Sequence, residues 1–597
     1  MFVNLDPALY RALYGVTCYH RITTPSVGEN KNRKEETIIK KIIVLTGSFN
    51  PVTRAHYEIL TDAVSVLGAD EGLFVITSDK YLTKKTLTRM KPPTGFRLSE
   101  EQRKEMIDSL RADDPKLSCW GVELGGADSN TGGTLRKIYK EKKKQYPEEE
   151  IRMYYLCGAD KLGEIPRWKD PGEIVSICEL LVYARALDLE SVIEKDPFLT
   201  AHRDRIHFMK VEHDELEDIS STEVRGCFFA GENYRSLMNE GPYELLKKMS
   251  PSDFSKPTRE EIIRAYIEYG GRYGKGTARM LVYKDNRDMF KTWDESVLGD
   301  RKEHQKAIVY RAPFTVDVPV QSRPTETDCV NADCADVAEG LIREGYHPAI
   351  LNLASRISPC GGYHKGTSAQ EESLSQMSTL SQSLYQFGDP KYKNIRESGT
   401  VHVPGVYPLD LKFGGIYSPT VTFFRHNEEK NYRLRETTFD CPIITVASLS
   451  NRERNEYTND ERKYFLENGY LTDEGKEIEQ NKIRTIYRIA LANGHDSVVL
   501  GAFGCGVYQL KCDEVAALFS SVLEEPEFQN RFKKVVFAIF EGRPTARKPL
   551  KGPDGKFRAF YELFAKKEKE DMEVYYPDPY DIPEIPIIKR EIVEFEG

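Results

Sequence analysis

The chain reads Gly47-Ser48-Phe49-Asn50-Pro51-Val52-Thr53-Arg54-Ala55-His56 between an apolar run, Ile42–Leu45, and a helical pattern over Arg54–Leu67. A glycine in a turn between a strand and a helix lets backbone N–H groups approach a phosphate, and the positive end of the helix faces the same place. Thr53 and His56 are three residues apart at the start of the helix, so both side chains can face the turn. The stretch predicts a strand, a turn and a helix; a plain turn without a ligand is the alternative.

Outward from this turn, short apolar runs alternate with helical patterns. In the first half the runs are Leu73–Thr77, Met153–Cys157, Leu180–Ala184 and Ile206–Val211. In the second half, strands are predicted at Ala307–Tyr310, Ala349–Leu353, Ile443–Ala447, Ser497–Leu500 and Val535–Phe540, and helices at Ala332–Glu344, Glu474–Ala492 and Asp513–Leu523. Such alternation predicts an α/β fold with a parallel sheet in the first half and a second α/β set in the second half.

The size and composition of the chain set limits on what it can be. Its 597 residues are too many for one hydrophobic core, so two or three domains are expected. The formal net charge of -9 argues against general electrostatic binding of nucleic acid. The 11 cysteines have no paired spacing, which indicates neither a zinc site nor a disulfide framework and fits a reducing compartment, cytoplasmic or nuclear. No apolar run is long enough to span a bilayer, so no membrane partner is expected.

A second distinctive stretch reads Asp218-Ile219-Ser220-Ser221-Thr222-Glu223-Val224-Arg225 and predicts another helix start. Ser221 or Thr222 can serve as a simple N-cap, with Glu223 complementing the helix dipole. That interpretation leaves Arg225 unexplained, because a cation is disfavoured in the first turn of a helix. An arginine there is reasonable if it meets an anion.

Together the two stretches resemble the nicotinamide mononucleotide adenylyltransferases, whose pattern pairs a GxFNPxTxxH turn with a distal ISSTxxR. The resemblance covers about residues 41–248, and three further segments fit it. These are Tyr81–Leu87 with Lys84 and Lys85, Cys157-Gly158-Ala159-Asp160 followed by Trp168, and Trp120 followed by Thr134-Leu135. The resemblance implies a Rossmann-like nucleotidyltransferase domain that joins ATP and nicotinamide mononucleotide to make NAD.

Site residues follow from this resemblance. It implies that His56 and Arg225 act on the reacting phosphates, with one of Lys84 and Lys85 near the substrate phosphate. Trp168 and Trp120 would stack on the nicotinamide, although filling of the core is the alternative, and Asp160 would accept hydrogen bonds from a ribose or base. The other implied binding residues are Gly47, Ser48, Phe49, Thr53, Gly158, Ser221 and Thr222. Mg²⁺ would enter with ATP and be held mainly by phosphates rather than by protein side chains.

The second half contains one long stretch with a glycine loop and three polar residues. It runs from Leu351-Asn352-Leu353 through Cys360-Gly361-Gly362 to Gln370-Glu371-Glu372, and predicts a strand, a loop and a helix. Adjacent helical residues project about 100° apart, so the two glutamates cannot both face one ligand. One is the candidate acid and the other a solvated or supporting neighbour; the alternative is that acidic residues simply favour a helix N-terminus.

This stretch resembles the microbial-type poly(ADP-ribose) glycohydrolases, which have the macrodomain fold and a Gly-Gly-Gly loop before Gln-Glu-Glu. Here Cys360 replaces the first glycine. The resemblance covers about residues 258–564, and Tyr417-Ser418-Pro419, Phe424-Arg425 and a second loop, Gly501–Tyr508, also fit it. It implies an α/β/α macrodomain with a helical N-terminal extension, in which Glu372 is the acid and base of glycosidic hydrolysis beside Glu371.

Contacts with ADP-ribose are implied in the same way. Asn352 would hydrogen-bond the reacting ribose, and the glycine loops would hold the diphosphate through backbone N–H groups. The implied residues are Gly361, Gly362, Gln370, Gly504, Cys505, Gly506, Val507 and Tyr508. Two alternatives stay open: the macrodomain binds ADP-ribose without cleaving it, or it hydrolyses a small ADP-ribose derivative or ADP-ribosylated nucleic acid instead of ADP-ribosylated protein.

The expected organisation has five parts. They are a flexible leader over 1–36, the nucleotidyltransferase over 37–248, a linker over 249–257, the macrodomain over 258–574 and a Pro-rich acidic tail over 575–597. The function expected is a bifunctional enzyme of NAD metabolism. Its preference for nicotinamide or nicotinate mononucleotide, any coupling of the two sites and its oligomeric state stay open.

Overall fold

A computed structural model of the protein describes residues 38–121, 131–184, 189–210, 219–388, 402–452, 460–541 and 555–565. The chain divides into two compact units. The first comprises Met1–Ser78 and Leu98–Ser250, and the second comprises Asp79–Arg97 and Pro251–Gly597. The expected leader and the expected Pro-rich tail lie outside the described residues.

The first unit is built on a six-stranded sheet in the order β3-β2-β1-β4-β5-β6. Its strands are β1 Ile39–Gly47, β2 Glu71–Ile76, β3 Leu117–Trp120, β4 Glu150–Gly158, β5 Cys178–Ala184 and β6 Ile206–Lys210. All five neighbouring pairs are parallel. This is the doubly wound order whose switch point lies between β1 and β4, where such folds bind ligands at the carboxyl ends of the strands. The expected Rossmann-like fold is confirmed.

Helices connect these strands. In chain order they are α1 Arg54–Leu67, α2 Asp79–Lys84, α3 Glu100–Ser109, α4 Thr131–Gln145, α5 Ala159–Leu162, α6 Pro171–Ile177, α7 Leu189–Glu194, α8 Pro197–Ala201, α9 Ser221–Ala230 and α10 Glu240–Lys247. Ile42 and Val44 are alternate residues of β1 and project to one face of the sheet. There they are fully buried in one cluster with Leu135 and Ile138 of α4.

The second unit contains a seven-stranded sheet in the order β7-β10-β13-β9-β14-β15-β8 and a hairpin of β11 and β12. The strands are β7 Ile308–Tyr310, β8 Glu326–Val330, β9 Pro348–Leu353, β10 Gly415–Ser418, β11 Thr422–Arg425, β12 Leu434–Asp440, β13 Ile443–Val446, β14 Ser497–Leu500 and β15 Lys534–Ala538. The sheet is mixed, because β10 is antiparallel to β7 and β13. Strand β10 was not predicted from the sequence, because strands of three or four residues at this edge are too short to show a period.

The helices of the second unit continue the numbering. They are α11 Arg259–Tyr269, α12 Gly271–Thr292, α13 Glu295–Leu298, α14 Cys334–Arg343, α15 Gln370–Met377, α16 Leu380–Leu384, α17 Asp473–Ala492, α18 Cys512–Leu523 and α19 Lys556–Phe564. Helices α11 and α12 form the expected helical extension. The amide of Asn286 in α12 donates to the Tyr363 hydroxyl (2.9 Å) and to the Gln376 carbonyl (2.9 Å), so the extension packs directly on the glycine-loop region.

One segment does not lie where the sequence placed it. Residues 79–97 were expected in the first domain, but the structure groups them with the second unit. The Tyr266 hydroxyl of α11 donates to the Thr88 carbonyl (2.9 Å), and the ring of Phe96 stacks on Phe254 with centroids 4.3 Å apart. A Cβ on Gly95 would lie 1.7 Å from the Ser255 carbonyl oxygen, so this approach requires glycine. The expected linker is thus packed against this segment at Phe254.

Candidate active sites

The turn after β1 is held by packing of Phe49. This residue has a positive φ of 42°, and its buried ring lies edge-on to His56 (5.1 Å) and Phe74 (5.2 Å). A Cβ on Gly47 would lie 2.8 Å from that ring. Glycine at 47 is therefore required by the Phe49 side chain, a reason that differs from the predicted approach to a phosphate.

Thr53 and His56 are joined at the start of α1. The Thr53 backbone N–H donates to His56 Nδ1 (3.1 Å), and the Thr53 hydroxyl lies 2.7 Å from the same nitrogen. Because a backbone N–H can only donate, Nδ1 is an acceptor and the ring proton of the neutral histidine is on Nε2. His56 is thus held as an Nε2–H donor at the helix N-terminus.

Helix α9 docks on the turn, which brings the two halves of the motif together. The Ser221 hydroxyl donates to the Pro51 carbonyl (2.8 Å), and Arg225 donates through Nη1 to the Asn50 carbonyl (2.7 Å). The second nitrogen of Arg225, Nη2, donates to the Thr222 hydroxyl (2.9 Å). Ser220, whose hydroxyl accepts from the Glu223 N–H (3.1 Å), is the N-cap, so the assignment of this role to Ser221 or Thr222 was wrong.

Arg225 is a cation held inside the first unit. Its side chain is buried, and burial lowers its pKa to about 10, so it remains charged at neutral pH. The contacts described above hold this cation beside the turn after β1.

Sequence reasoning missed Arg103 of α3, which is fully buried beneath the same turn. Its Nη1 donates to the carbonyls of Ser48 (3.0 Å) and Thr77 (2.7 Å), and its Nε donates to the Leu98 carbonyl (3.2 Å). Arg103 therefore joins the ends of β1 and β2. No local pattern marks it, because it lies among the charged residues of a predominantly polar helix.

The other residues predicted for the first site lie in several different elements. Trp120 and Trp168 are partly buried against one core cluster, and Trp168 lies edge-on to Tyr155 (6.2 Å). Gly158 is the N-cap of α5, and the side chain of Asp160 lies outside what the structure describes.

The two predicted lysines belong to the segment grouped with the second unit. Lys84 ends α2 and Lys85 begins a π-helical turn. Burial, followed by the charge of Arg89, lowers the pKa of Lys84. Their role in the first site stays a prediction.

The second unit contains a cavity of about 870 Å³ between the two glycine loops. Predicted residues that line it are Gly361, Gly362, Gln370, Glu371, Glu372, Gly504, Gly506, Val507 and Tyr508. Asn352 lies behind this wall: it is fully buried, and its amide donates to the Thr445 hydroxyl (3.2 Å) and to Glu371 Oε1 (3.4 Å). Asn352 thus supports Glu371, and its contact with ribose stays a prediction.

Both glutamates at the start of α15 are buried, with relative exposures of 2% for Glu371 and 7% for Glu372. Glu371 Oε2 accepts the Ser355 N–H (2.7 Å). Burial raises the pKa of Glu371 well above its usual range, and the charge of Glu372 adds to the rise. The glutamate beside the acid was predicted to be either solvated or supporting. The solvated role was wrong, because both glutamate side chains fold back over the glycine loop.

Glu372 has two unlike oxygens. Oε1 accepts the Gly362 N–H (2.8 Å) and the Thr367 hydroxyl (2.8 Å). Oε2 is buried and has no hydrogen-bond partner among the described residues.

Gln370 is held by the backbone of β9. Its side-chain amide accepts from the Leu353 N–H (2.8 Å) and donates to the Leu351 carbonyl (2.8 Å).

The first glycine loop keeps a left-handed backbone despite the replacement at Cys360. Cys360 has a φ of 59° and is fully buried, and Gly361 follows with a φ of 51°. A Cβ on Gly361 would lie 2.5 Å from Glu372 Oε1 and 3.1 Å from Glu371 Oε2. Gly361 is therefore the position at which both carboxylates meet the loop.

Tyr508 and Gly504 fix the second loop. The Tyr508 hydroxyl donates to the Ala354 carbonyl (3.3 Å) and accepts the Arg356 N–H (3.3 Å), and burial raises its pKa to about 12. Gly504 has a φ of 72°, and a Cβ there would lie 2.2 Å from Ser448 Oγ. Cys505 is buried behind the loop, whereas Val507 is half exposed at the cavity.

A buried charged network supports the loop after β13 and was not predicted. Lys482 Nζ donates to the Ala447 carbonyl (2.5 Å), and Glu479 accepts from the Ser448 hydroxyl (2.7 Å). In the same loop, Glu461 accepts the Ser450 N–H (2.8 Å), and its other oxygen accepts from Arg356 Nε (2.7 Å). Burial raises the pKa of Glu479 to about 7.

Two features are absent from the described residues. No helix among them is long and apolar enough to cross a membrane. The described residues also contain no cluster of three or more histidine, cysteine, aspartate or glutamate side chains that could bind a metal ion.

Comparisons with known proteins give separate matches for the two halves. Two relatives, each named "Probable nicotinate-nucleotide adenylyltransferase", come from Clostridium acetobutylicum and Clostridium botulinum. The first is 26% identical over 216 residues, covering 35% of this chain and 98% of the relative. The second, from strain Hall, is 24% identical over 209 residues, covering 34% of this chain and 94% of the relative.

Solved structures of poly(ADP-ribose) glycohydrolases are also similar in part. The one from Thermomonospora curvata is 23% identical, with a TM-score of 0.36, and the match covers 48% of this chain and all of that chain. The one from Deinococcus radiodurans in complex with ADP-ribose is 24% identical, with a TM-score of 0.31, over 44% of this chain and 95% of that chain.

Family models assign each half. Residues 44–226 match the family described as cytidylyltransferase-like. Residues 294–426 match the family described as microbial-type PARG, catalytic domain. The chain thus carries a cytidylyltransferase-like domain followed by a microbial-type poly(ADP-ribose) glycohydrolase catalytic domain.

Proposed function

We propose that the second unit hydrolyses an ADP-ribosyl glycosidic bond and releases ADP-ribose. The observation that carries the proposal is Glu372, a buried carboxyl at the wall of the 870 Å³ cavity, with one oxygen anchored and the other without a partner among the described residues. A general acid must offer one oxygen to the leaving group, and Oε2 is the oxygen of Glu372 that no described donor occupies.

The reaction would use Glu372 twice. Its Oε2 donates a proton to the leaving oxygen on the anomeric carbon, and cleavage passes through an oxocarbenium-like state. The resulting carboxylate then takes a proton from the attacking water. Glu371, whose pKa burial raises, supports the loop by accepting the Ser355 N–H beside the acid.

The rest of the cavity fits the remainder of ADP-ribose. Backbone N–H groups of the loop Gly501–Tyr508 would hold the diphosphate, with Lys556 at the same wall. Phe540, 51% exposed at the cavity, offers a ring on which an adenine can stack. Partners proposed for this unit are ADP-ribose and ADP-ribosylated protein, with nucleic acid only as an ADP-ribosylated substrate.

The test is release of free ADP-ribose by the whole protein and its Glu372→Gln variant. We expect the parent to release ADP-ribose from poly- and mono-ADP-ribosylated protein, and the variant to lose at least about 100-fold in rate. Glu524→Gln is the control, because Glu524 lies outside the cavity. Tight binding of ADP-ribose without release by either protein would identify a binding module instead.

We further propose that the first unit transfers an adenylyl group from ATP to a pyridine mononucleotide, giving NAD or its nicotinate analogue. The observation that carries this proposal is the docking of Arg225 on the turn that also holds His56. The names of the relatives point to nicotinate mononucleotide as an acceptor beside nicotinamide mononucleotide. ATP, the mononucleotide and NAD are the proposed partners.

Positioning and charge neutralisation carry this reaction, because the protein forms no covalent intermediate in such transfers. His56 would donate from Nε2 to a phosphate oxygen, and Arg225 would neutralise charge on the reacting phosphates. Mg²⁺, arriving with ATP, would be held mainly by the triphosphate and would reduce its charge.

The test is NAD formation from ATP and each mononucleotide. Arg225→Gln should lower kcat/KM by about 100-fold or more, because a charge that neutralises the reacting phosphates is lost. Arg235→Gln is the control, since Arg235 is an exposed cation paired with Glu240. Equal rates in the parent and in Arg225→Gln would refute this role.

A further inference from the structure

The hydroxyl of Thr367 makes the two oxygens of Glu372 unequal. Thr367 Oγ1 and the Gly362 N–H both donate to Oε1, each at 2.8 Å, while Oε2 has no partner among the described residues. A proton placed on Oε1 would compete with these two donors for its lone pairs. The neutral acid therefore carries its proton on Oε2.

Thr367 is exposed at the cavity wall, and its hydroxyl lies against the glycine loop. A Cβ on Gly362 would lie 2.4 Å from Thr367 Oγ1, so the hydroxyl is pressed against the glycine loop. The preceding residue, Gly366, is held by α12, because Arg279 Nε donates to its carbonyl (2.8 Å). Gly366 has a φ of 70°, and a Cβ there would lie 2.4 Å from the Gly276 carbonyl oxygen of α12.

Helix α12 is itself anchored beside the loop. The ring of Tyr283 lies edge-on to Tyr363 at 4.9 Å, and Arg279 forms an ion pair with Glu428. The helical extension thus fixes the segment from Tyr363 to Thr367, and Thr367 transmits that position to the carboxyl of Glu372.

We propose that Thr367 is a positioning residue that directs the transferable proton of Glu372 to Oε2, the oxygen that the proposed function assigns to the leaving group. This inference rests on the proposed glycohydrolase function and adds the residue that decides which oxygen of the acid reacts. Thr367 lines the cavity, but its hydroxyl donates to Glu372 Oε1, so we expect it to act on the reacting atoms through that carboxyl. Its loss should therefore change the rate of bond cleavage and leave the binding of ADP-ribose unchanged.

The experiment compares Thr367→Val, Thr367→Ser and the parent in the whole protein, with ADP-ribosylated protein as substrate. Valine has nearly the shape of threonine and lacks the hydroxyl, whereas serine keeps it. We expect Thr367→Val to lower kcat by about tenfold or more with KM within about twofold of the parent, and Thr367→Ser to restore most of the rate. Thr292→Val is the matched control, because it is the same substitution on α12, the Thr292 hydroxyl donates to the Met289 carbonyl, and Thr292 does not line the cavity.

Three outcomes are decisive. An unchanged kcat in Thr367→Val would overturn the inference. Weaker binding of ADP-ribose by Thr367→Val, measured by calorimetry, would also overturn it, because Thr367 would then act on the loop rather than on the acid. Absence of release by the parent protein would instead refute the proposed function, so the two failures are distinguishable.

Discussion

Individual backbone positions decide how close the two glutamates come to the glycine loop. Gly361 has a positive φ and stands where a Cβ would collide with Glu372 Oε1 at 2.5 Å. Neighbouring Cys360 shows that the loop tolerates a side chain at a positive φ of 59° if the side chain can be buried. Space, more than backbone strain, therefore explains glycine at 361.

Gly361→Ala tests this explanation. We expect a loss of release of more than about tenfold, because the methyl group must displace the acid. Gly405→Ala is the matched control, since Gly405 has a φ of 73° with nothing within 4 Å of its Cβ position. Both variants should lose about 1–2 kcal/mol of unfolding free energy from the left-handed backbone. Equal activity of Gly361→Ala and Gly405→Ala would contradict the account.

The carboxyl of Asp333 predicts how the stability of the protein depends on pH. Burial, and then the charge of Asp336, raises its pKa to about 6. A carboxyl whose pKa is raised by folding contributes stability below its unfolded pKa of about 3.9 and loses it as the pH rises through about 6. Asp333→Asn keeps an oxygen acceptor for the Ala335 N–H at the N-cap of α14 and removes this loss.

Urea unfolding at pH 5 and pH 8 measures the effect. The unfolding free energy of Asp333→Asn relative to the parent should be higher at pH 8 than at pH 5. Asp294→Asn is the control, because hydrogen bonds from Ser296 lower the pKa of this N-cap residue and its titration lies below pH 5. A relative stability that falls with pH in Asp333→Asn would be the wrong sign.

At the scale of elements, α17 supports the second glycine loop through charges that are fully buried. Lys482 and Glu479 hold the backbone that follows β13, and Ser448 of that backbone leaves no room for a side chain at Gly504. Removing one of the two buried charged side chains leaves the other charge uncompensated. This costs far more unfolding free energy than the loss of an ion pair at the surface.

Lys482→Met should therefore destabilise the protein by about 3–5 kcal/mol. Lys476→Met on the same helix is the control, since Lys476 is 43% exposed and lies 3.7 Å from Glu514; it should cost less than about 1 kcal/mol. Chemical unfolding measures both. Similar losses in the two variants would show that the network is not a buried charged support.

The elements predicted from the sequence were mostly those with a long or strong pattern. Helix α1 begins and ends at the residues that the pattern indicated, as does strand β14. The antiparallel edge of β7 and β10 was missed, because its pairing depends on residues distant in the chain and not on a local period. The same reason hid Arg103 and Glu461, because their partners come from parts of the chain that are brought together only by folding.

At the scale of the whole molecule, the two functional domains are not contiguous stretches of chain. Residues 79–97 belong with the second unit, although the chain on both sides of them belongs with the first. Sequence patterns could not reveal this, since Phe96 and Phe254 are ordinary apolar residues until their rings stack at 4.3 Å. A fragment cut after Ser250 would leave that segment without Phe254 and Tyr266.

Limited trypsin digestion of the full chain tests this organisation. Phe254→Ala removes the stacked ring, so cleavage after Lys84, Lys85 or Arg89 should become several-fold faster, because proteolysis follows local opening. Phe229→Ala is the control, since Phe229 is 43% exposed and lies outside the segment. Unchanged cleavage in Phe254→Ala would mean that the segment does not depend on this contact.

The central claim is that one chain carries two independent active sites of NAD metabolism. The most direct measurement assays NAD formation and ADP-ribose release in the same preparations of the parent, Arg225→Gln and Glu372→Gln. We predict that the parent performs both reactions, that Arg225→Gln loses only NAD formation, and that Glu372→Gln loses only ADP-ribose release. Failure of the parent in either reaction, or retention of both activities in either variant, would contradict the account.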